Sequence, residues 1–311
     1  MSREPAGQST TATPSTGPGG RLGQWPYLLL TLTVLFWSGN FIVGRAVHAD
    51  VPPIGLAFWR WTGGLSLVFA FAWPHLKRDW PVLLRQWRIM LLFSFFGIAT
   101  FNTLVYVGLQ STTAINGLLM QSTMPVMIVV ISFAVFRETI SWPQAAGVAV
   151  SLAGAVTIIA QGDPQMLAAL TLNRGDLWIV LAVACYATYS ALLRKRPGVH
   201  PLSFLAATFA LGALMLLPFY VWETASGDPV PFERVSLLAI GYVALFPSVL
   251  AYLCFNRGVE LVGANRAGLF IHLMPVFGSL MAIGLLGEAF RAYHAVGMVL
   301  VLTGIVLATR R

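Results

Sequence analysis

The chain has 311 residues, of which 57% are apolar and 10% charged, with a formal net charge of +8 and a mean hydropathy of +0.77. Soluble domains carry about 25% charged residues, so two soluble domains cannot be built from this composition. The basic residues are spread through short segments between apolar runs, not gathered in one patch, which speaks against a nucleic-acid-binding protein and for a polytopic membrane protein.

Residues 1–24 are rich in Ser, Thr, Gly and Pro and read as a disordered cytosolic tail. They do not read as a signal peptide, because the apolar run that follows is long enough to span and lacks a small-residue cleavage site. Ten spanning helices are expected, at roughly 26–47, 54–74, 88–110, 113–136, 142–160, 175–195, 201–222, 235–259, 263–287 and 291–309. Each is close to the ~20 residues that a bilayer core demands. Between the second and third, Trp80, Leu83, Leu84 and Trp87 recur at helical spacing among Lys77, Arg78, Arg85 and Arg88, which predicts a short interfacial helix. Cys185 and Cys254 lie inside apolar runs and read as packing thiols.

The stretch 108–160 returns 150 positions later. Gly108 matches Gly258, Met124-Pro125-Val126 matches Met274-Pro275-Val276, and Glu138, Gly147 and Gly154 match Glu288, Gly297 and Gly304. At the same offset Asn102 and Tyr106 align with Tyr252 and Asn256, the pair with its order swapped; more loosely, Trp37 and Asn40 align with Tyr186 and Tyr189. With the N-terminus in the cytosol, the inner segments hold Arg3, Arg21, Lys77, Arg78, Arg85, Arg88, Arg137, Arg194, Lys195, Arg196, Arg257, Arg266, Arg310 and Arg311, and the outer ones only Arg45, Arg174, Arg234 and Arg291. That imbalance places both termini inside. Five helices per repeat is an odd number, so the second copy enters the membrane from the opposite side. The fold class is therefore all-α and integral to the membrane, with ten transmembrane helices in two inverted-topology repeats, 25–160 and 175–311, joined by a loop at 161–174.

Polar residues within the spans are the candidate site. Asn102/Tyr106 and Tyr252/Asn256 are four apart, Trp37/Asn40 and Tyr186/Tyr189 three apart, so each pair shares one helix face, and Ser248 extends the Tyr252 face. Amides in hydrocarbon need partners. Either these faces line a central cavity that holds a ring-bearing solute, or they are interhelical glue. Pro125 and Pro275 release the backbone carbonyls of Gln121 and Ile271, the latter beside His272, as solute ligands, hinges or static kinks. Pro247, opposite Gly97 in the repeat, ranks lower. His272 reads as a neutral hydrogen-bonding side chain or a proton carrier. Arg60, between Trp59 and Trp61, attracts an anionic group, closes a gate or snorkels. Gly147, Ser151, Gly154, Gly297 and Gly304 read as close helix contacts, within the bundle or at a dimer interface. Without a mid-span Asp or Glu, a carboxylate-driven antiporter is disfavoured.

The residues Phe36-Trp37-Ser38-Gly39-Asn40-Phe41, Phe58-Trp59-Arg60, Gly108-Leu109 with Ala114, Pro125, and the Glu138/Gly147/Gly154 series with its second copy resemble the drug/metabolite transporter superfamily, in its ten-helix EamA-type branch. The likeness covers nearly all of the chain after residue 25, and within the family the chain looks most like exporters of aromatic and other neutral amino acids of the YddG type. It implies efflux of an amino acid or related metabolite across a bacterial inner membrane by alternating access. The partners are then that solute and the lipid bilayer, with no nucleic acid, no cofactor and no metal, in a monomer or homodimer. The second half departs from the pattern near Phe204, where Arg60 has no basic counterpart. A passive channel-like pore is the alternative. An intramembrane enzyme is disfavoured, since neither a His-Glu-x-x-His nor a Gly-x-Ser-x-Gly motif occurs.

Overall fold

A computed structural model describes residues 25–286 and 289–310, and the expected tail at 1–24 and Glu288 lie outside the described residues. The described chain is helical without strands. Nine of its helices are long and apolar enough to cross a membrane. In chain order these are Pro26–Ala46, Pro53–Arg85, Trp87–Leu109, Asn116–Phe136, Trp142–Ile159, Arg174–Lys195, Pro201–Ala225, Arg234–Val262 and Ala292–Thr309. The ninth segment, between the last two, is built from three shorter pieces: Ala264–Leu269, a 3₁₀ turn at Phe270–His272, and Leu273–Leu286.

The packing repeats when the halves are exchanged. The first segment packs on the eighth as the sixth packs on the third, the second pairs with the seventh, and the fifth pairs with the tenth. The fifth–tenth contact shows the exchange atom by atom. An added Cβ on Gly147 would lie 2.5 Å from Gly304 O, and one on Gly154 would lie 2.7 Å from Gly297 O. Shifting both residues of either contact by the 150-residue register yields the other. Both contacts fall inside the bundle, and backbones approach this closely only where side chains are absent. Two halves of five segments related in this way run through the membrane in opposite directions. Outward-facing side chains such as Val130, Leu181, Leu214 and Val299 are exposed and apolar, as lipid contact requires.

Three local features differ from the sequence expectation. Residues 75–88 do not form a separate interfacial helix. The second helix runs unbroken for 33 residues to Arg85, through Pro74 and Pro81, a length of ~50 Å against a ~30 Å hydrocarbon core. Its overhang is pinned by Asp79, which accepts from His200 N at 2.8 Å, while Trp80, Leu84 and Trp87 are exposed. Pro125 and Pro275 are not interior kinks either. The fourth segment breaks at Thr123, whose N–H turns back to Met120 O, and a new helix starts at Met124 with the proline in its first turn. Pro275 likewise falls in the first turn of the helix that follows the 3₁₀ turn. A missing N–H costs nothing in a first turn. The third and eighth helices each contain a π-helical stretch in register, Ser94–Thr100 and Ala244–Leu250. Pro247 cannot donate to Val243 O, and Ser248 Oγ donates there instead, at 2.7 Å.

Candidate solute site at the seam between the repeats

The widened π-helical turns turn carbonyls towards the opposite half. Pro247 O accepts Trp37 Nε1 at 3.1 Å and Arg60 Nη2 at 3.2 Å, and Gly97 O accepts the Tyr252 hydroxyl. These crossing bonds define a seam. On it lie two equivalent hydrogen bonds, Tyr106 OH to Asn40 Oδ1 and Tyr189 OH to Asn256 Oδ1, both 2.8 Å. Each joins one residue of the Asn102/Tyr106–Tyr252/Asn256 alignment to one of the looser Trp37/Asn40–Tyr186/Tyr189 alignment, and the exchange of Asn for Tyr at both places swaps donor for acceptor without losing the bond.

Arg60 breaks the equivalence. It is 1% exposed, so it does not snorkel to the membrane surface. It donates from Nε to Ser248 Oγ at 2.7 Å, from Nη1 to Asn40 Oδ1 at 2.7 Å and Tyr106 OH at 2.9 Å, and from Nη2 to Pro247 O. Its guanidinium lies 4.7 Å from the centre of the Trp61 ring. Among the described residues no carboxylate forms an ion pair with it. A cation at this depth held only by neutral acceptors is unusual, because full desolvation is normally offset by an opposite charge.

Beside Arg60 the rings close together. Tyr186 lies at the centre, with ring centroids 5.2 Å from Trp37, 4.5 Å from Phe101, 5.3 Å from Tyr189, 6.1 Å from Tyr252 and 5.6 Å from Phe255. The Tyr186 hydroxyl, Asn102 Nδ2 and Asn256 Nδ2 are buried without a hydrogen-bond partner. Unmet donors of this kind cost about 1–3 kcal/mol each, and here they gather along one seam.

Gln121 joins Trp37, Asn40, Phe101 and Asn102 around a cavity of about 20 Å³, room for about one water. A second cavity of about 560 Å³ opens on the face where the first helix begins and the tenth ends. Arg194, Arg196, Glu138 and Glu260 line it, and it reaches Asn256. The opposite face holds two buried carboxylates. There Asp176, 1% exposed, accepts from Thr112 Oγ1, from Asn116 Nδ2 at 3.0 Å and from Asn173 N at 2.9 Å, tying the sixth helix to the corner between the third and fourth. Glu223 likewise accepts from Ile54 N and Gly55 N at the start of the second helix.

The structure thus brings Trp37, Asn40, Arg60, Asn102, Tyr106, Tyr186, Tyr189, Ser248, Tyr252 and Asn256 to one seam, with Gln121 at its edge. His272 has other partners than Arg60. Its Nδ1 meets Ser151 Oγ at 2.7 Å and its Nε2 meets Ser122 O at 2.9 Å. Ser122 is its own repeat equivalent, so this contact lies on the pseudo-twofold axis. Sequence reasoning passed over Phe101, Phe255, Trp61 and the Gly97 and Pro247 carbonyls. The in-register Gly97/Pro247 pair was the available signal, since both residue types loosen a helix.

Two inverted five-helix halves, with a ring-lined polar seam reached from one face, are the architecture of a membrane transporter. The chain belongs to the EamA-like transporter family, which matches residues 24–160 and 173–310. It is similar to the uncharacterized transporter YyaM of Bacillus subtilis (strain 168), 27% identical over 91% of this chain and 93% of that one. It is also similar to the S-adenosylmethionine/S-adenosylhomocysteine transporter of Chlamydia trachomatis serovar D, 24% identical over 84% of this chain and 82% of that one. A solved protein crystal structure superposes with a TM-score of 0.71 over 91% of this chain and 97% of that one, at 19% identity, a likeness of fold.

Proposed function

We propose that this transporter exports small metabolites, aromatic and neutral amino acids foremost, across a bacterial inner membrane by alternating access. The observation that carries the reading is the ring cluster around Tyr186 next to the buried Arg60, where the two halves meet. Rings there can receive an apolar side chain, and the seam's polar groups its charged end. Only about 20 Å³ is open at that point against about 560 Å³ in the vestibule, and a solute pocket needs ~300 Å³ or more. A solute therefore enters only when the repeats 25–160 and 175–311 move apart, which favours a carrier over an open pore. The vestibule shares its face with the chain ends, the face that the Lys/Arg bias assigns to the cytosol, so loading from inside fits export.

A second reading has the same chemistry. S-Adenosylmethionine is also an amino acid carrying a ring system, and one relative is named as its transporter. Counterflow in proteoliposomes separates the two. Labelled phenylalanine accumulates against excess unlabelled phenylalanine if the first reading holds, and labelled S-adenosylmethionine accumulates if the second does. Accumulation of neither, with protein shown to be inserted, removes both.

A further inference from the structure

The polar groups on the seam are not balanced between donors and acceptors. The carbonyl oxygens of Asn40, Asn256, Gly97 and Pro247 are all engaged. The buried polar atoms left without partners there are two amide donors, Asn102 Nδ2 and Asn256 Nδ2, and the Tyr186 hydroxyl, which can donate or accept. Arg60 adds a full positive charge with four of its five N–H groups already committed, each to a neutral acceptor. Among the described residues no carboxylate pairs with it. Such a surface is complementary to an acceptor-rich anion and offers nothing of opposite charge to an ammonium group.

We propose that Arg60 receives the carboxylate of the solute and that the site recognises aryl carboxylates, with the amino group left unread. The assignment rests on the ring-and-guanidinium reading given above and narrows it. A carboxylate of the solute would take over the longest of the guanidinium bonds, the 3.2 Å contact to Pro247 O, and the free N–H beside it on Nη2. Fork-shaped pairing of this kind suits arginine better than lysine. The aryl group would lie against Trp37, Phe101 and Tyr186. An ammonium group finds ring faces, carbonyl oxygens that each already accept at least one hydrogen bond, and no carboxylate among the described residues.

The test is competition against phenylalanine counterflow by wild-type protein in liposomes. Phenyllactate keeps the carboxylate and replaces the amine by a hydroxyl, whereas phenethylamine keeps the amine and loses the carboxylate. Phenyllactate should compete about as well as phenylalanine, and phenethylamine ~10-fold or more weakly. Arg60→Gln should erase that preference, and Arg60→Lys should recover part of it. Equal competition by phenethylamine and phenyllactate overturns the assignment while leaving amino-acid transport standing, as does an unchanged preference in Arg60→Gln. Absence of phenylalanine counterflow in the wild type overturns both together. The wild-type panel decides the matter even if the Arg60 variants do not insert.

Discussion

Gly97→Ala is the most direct perturbation of the seam. A methyl group at this position would lie 2.3, 2.6 and 2.7 Å from Cδ2, Cε2 and Cγ of Tyr189, well inside van der Waals contact. The ring cannot easily yield. Its hydroxyl donates to Asn256 at 2.8 Å, and Phe93 meets its face edge-on at 5.7 Å. Overpacking of this kind costs about 1–3 kcal/mol, and loss of the Tyr189–Asn256 bond adds about 1 kcal/mol if the ring swings away. A middle value of ~2 kcal/mol changes the folded-to-unfolded ratio ~30-fold and lowers the melting temperature of a chain this long by roughly 3 °C. Cys185 and Cys254 are free, the first buried and the second half-buried, so a thiol-reactive dye reads unfolding of the detergent-solubilised protein directly. Gly241→Ala is the control, because an added Cβ there meets nothing within 4 Å. Combining Gly97→Ala with Tyr189→Leu should relieve most of the clash, giving a non-additive cycle. A Gly97→Ala protein that melts with wild type and with Gly241→Ala would refute the packing of the seam described here.

Asp176→Ala strips one buried carboxylate from Asn116, Asn173 and Thr112 at once, at about 1–3 kcal/mol for each donor left unmet. Its melting temperature in the same assay should fall well below that of Asp163→Ala, which removes only an exposed helix cap. On the opposite face, burial first and then the His75 ring stacked at 3.6 Å hold His200 below the ordinary histidine value, against the opposing pull of Asp79; Arg78 and Arg196 add to the depression. A group kept neutral in this way contributes full stability above its unfolded value and loses it as pH falls through that value. The melting temperature should therefore drop between about pH 7 and pH 5.5. His200→Asn, which keeps an acceptor at the cap of the seventh helix, should flatten that slope; an unchanged slope would mean that another group sets it.

How far the sequence reached follows from what each signal depends on. Span count, the 150-residue register and the opposed halves were legible because they need only hydrophobic length, repeated punctuation and an odd number of crossings, all of which are properties of the chain read one residue at a time. The seam's Asn/Tyr pairs were legible for a related reason: a polar side chain inside hydrocarbon must find a partner, wherever it is. The partners themselves were not legible. Arg60 had a lipid edge, a gate or a ligand role open to it until the fold placed Ser248 and Pro247, 188 and 187 residues away, within its reach. His272 was singled out for its neighbouring proline, and only the fold gave it Ser122 and Ser151 as partners, on the axis between the halves. Pro247 and Gly97 carry no side-chain signal for a carbonyl that turns across the interface. Such a bond exists only once each π-helical turn has packed against helices of the other half, and which groups a helix face meets is decided by the packing of whole helices and not by the order of residues along any one of them.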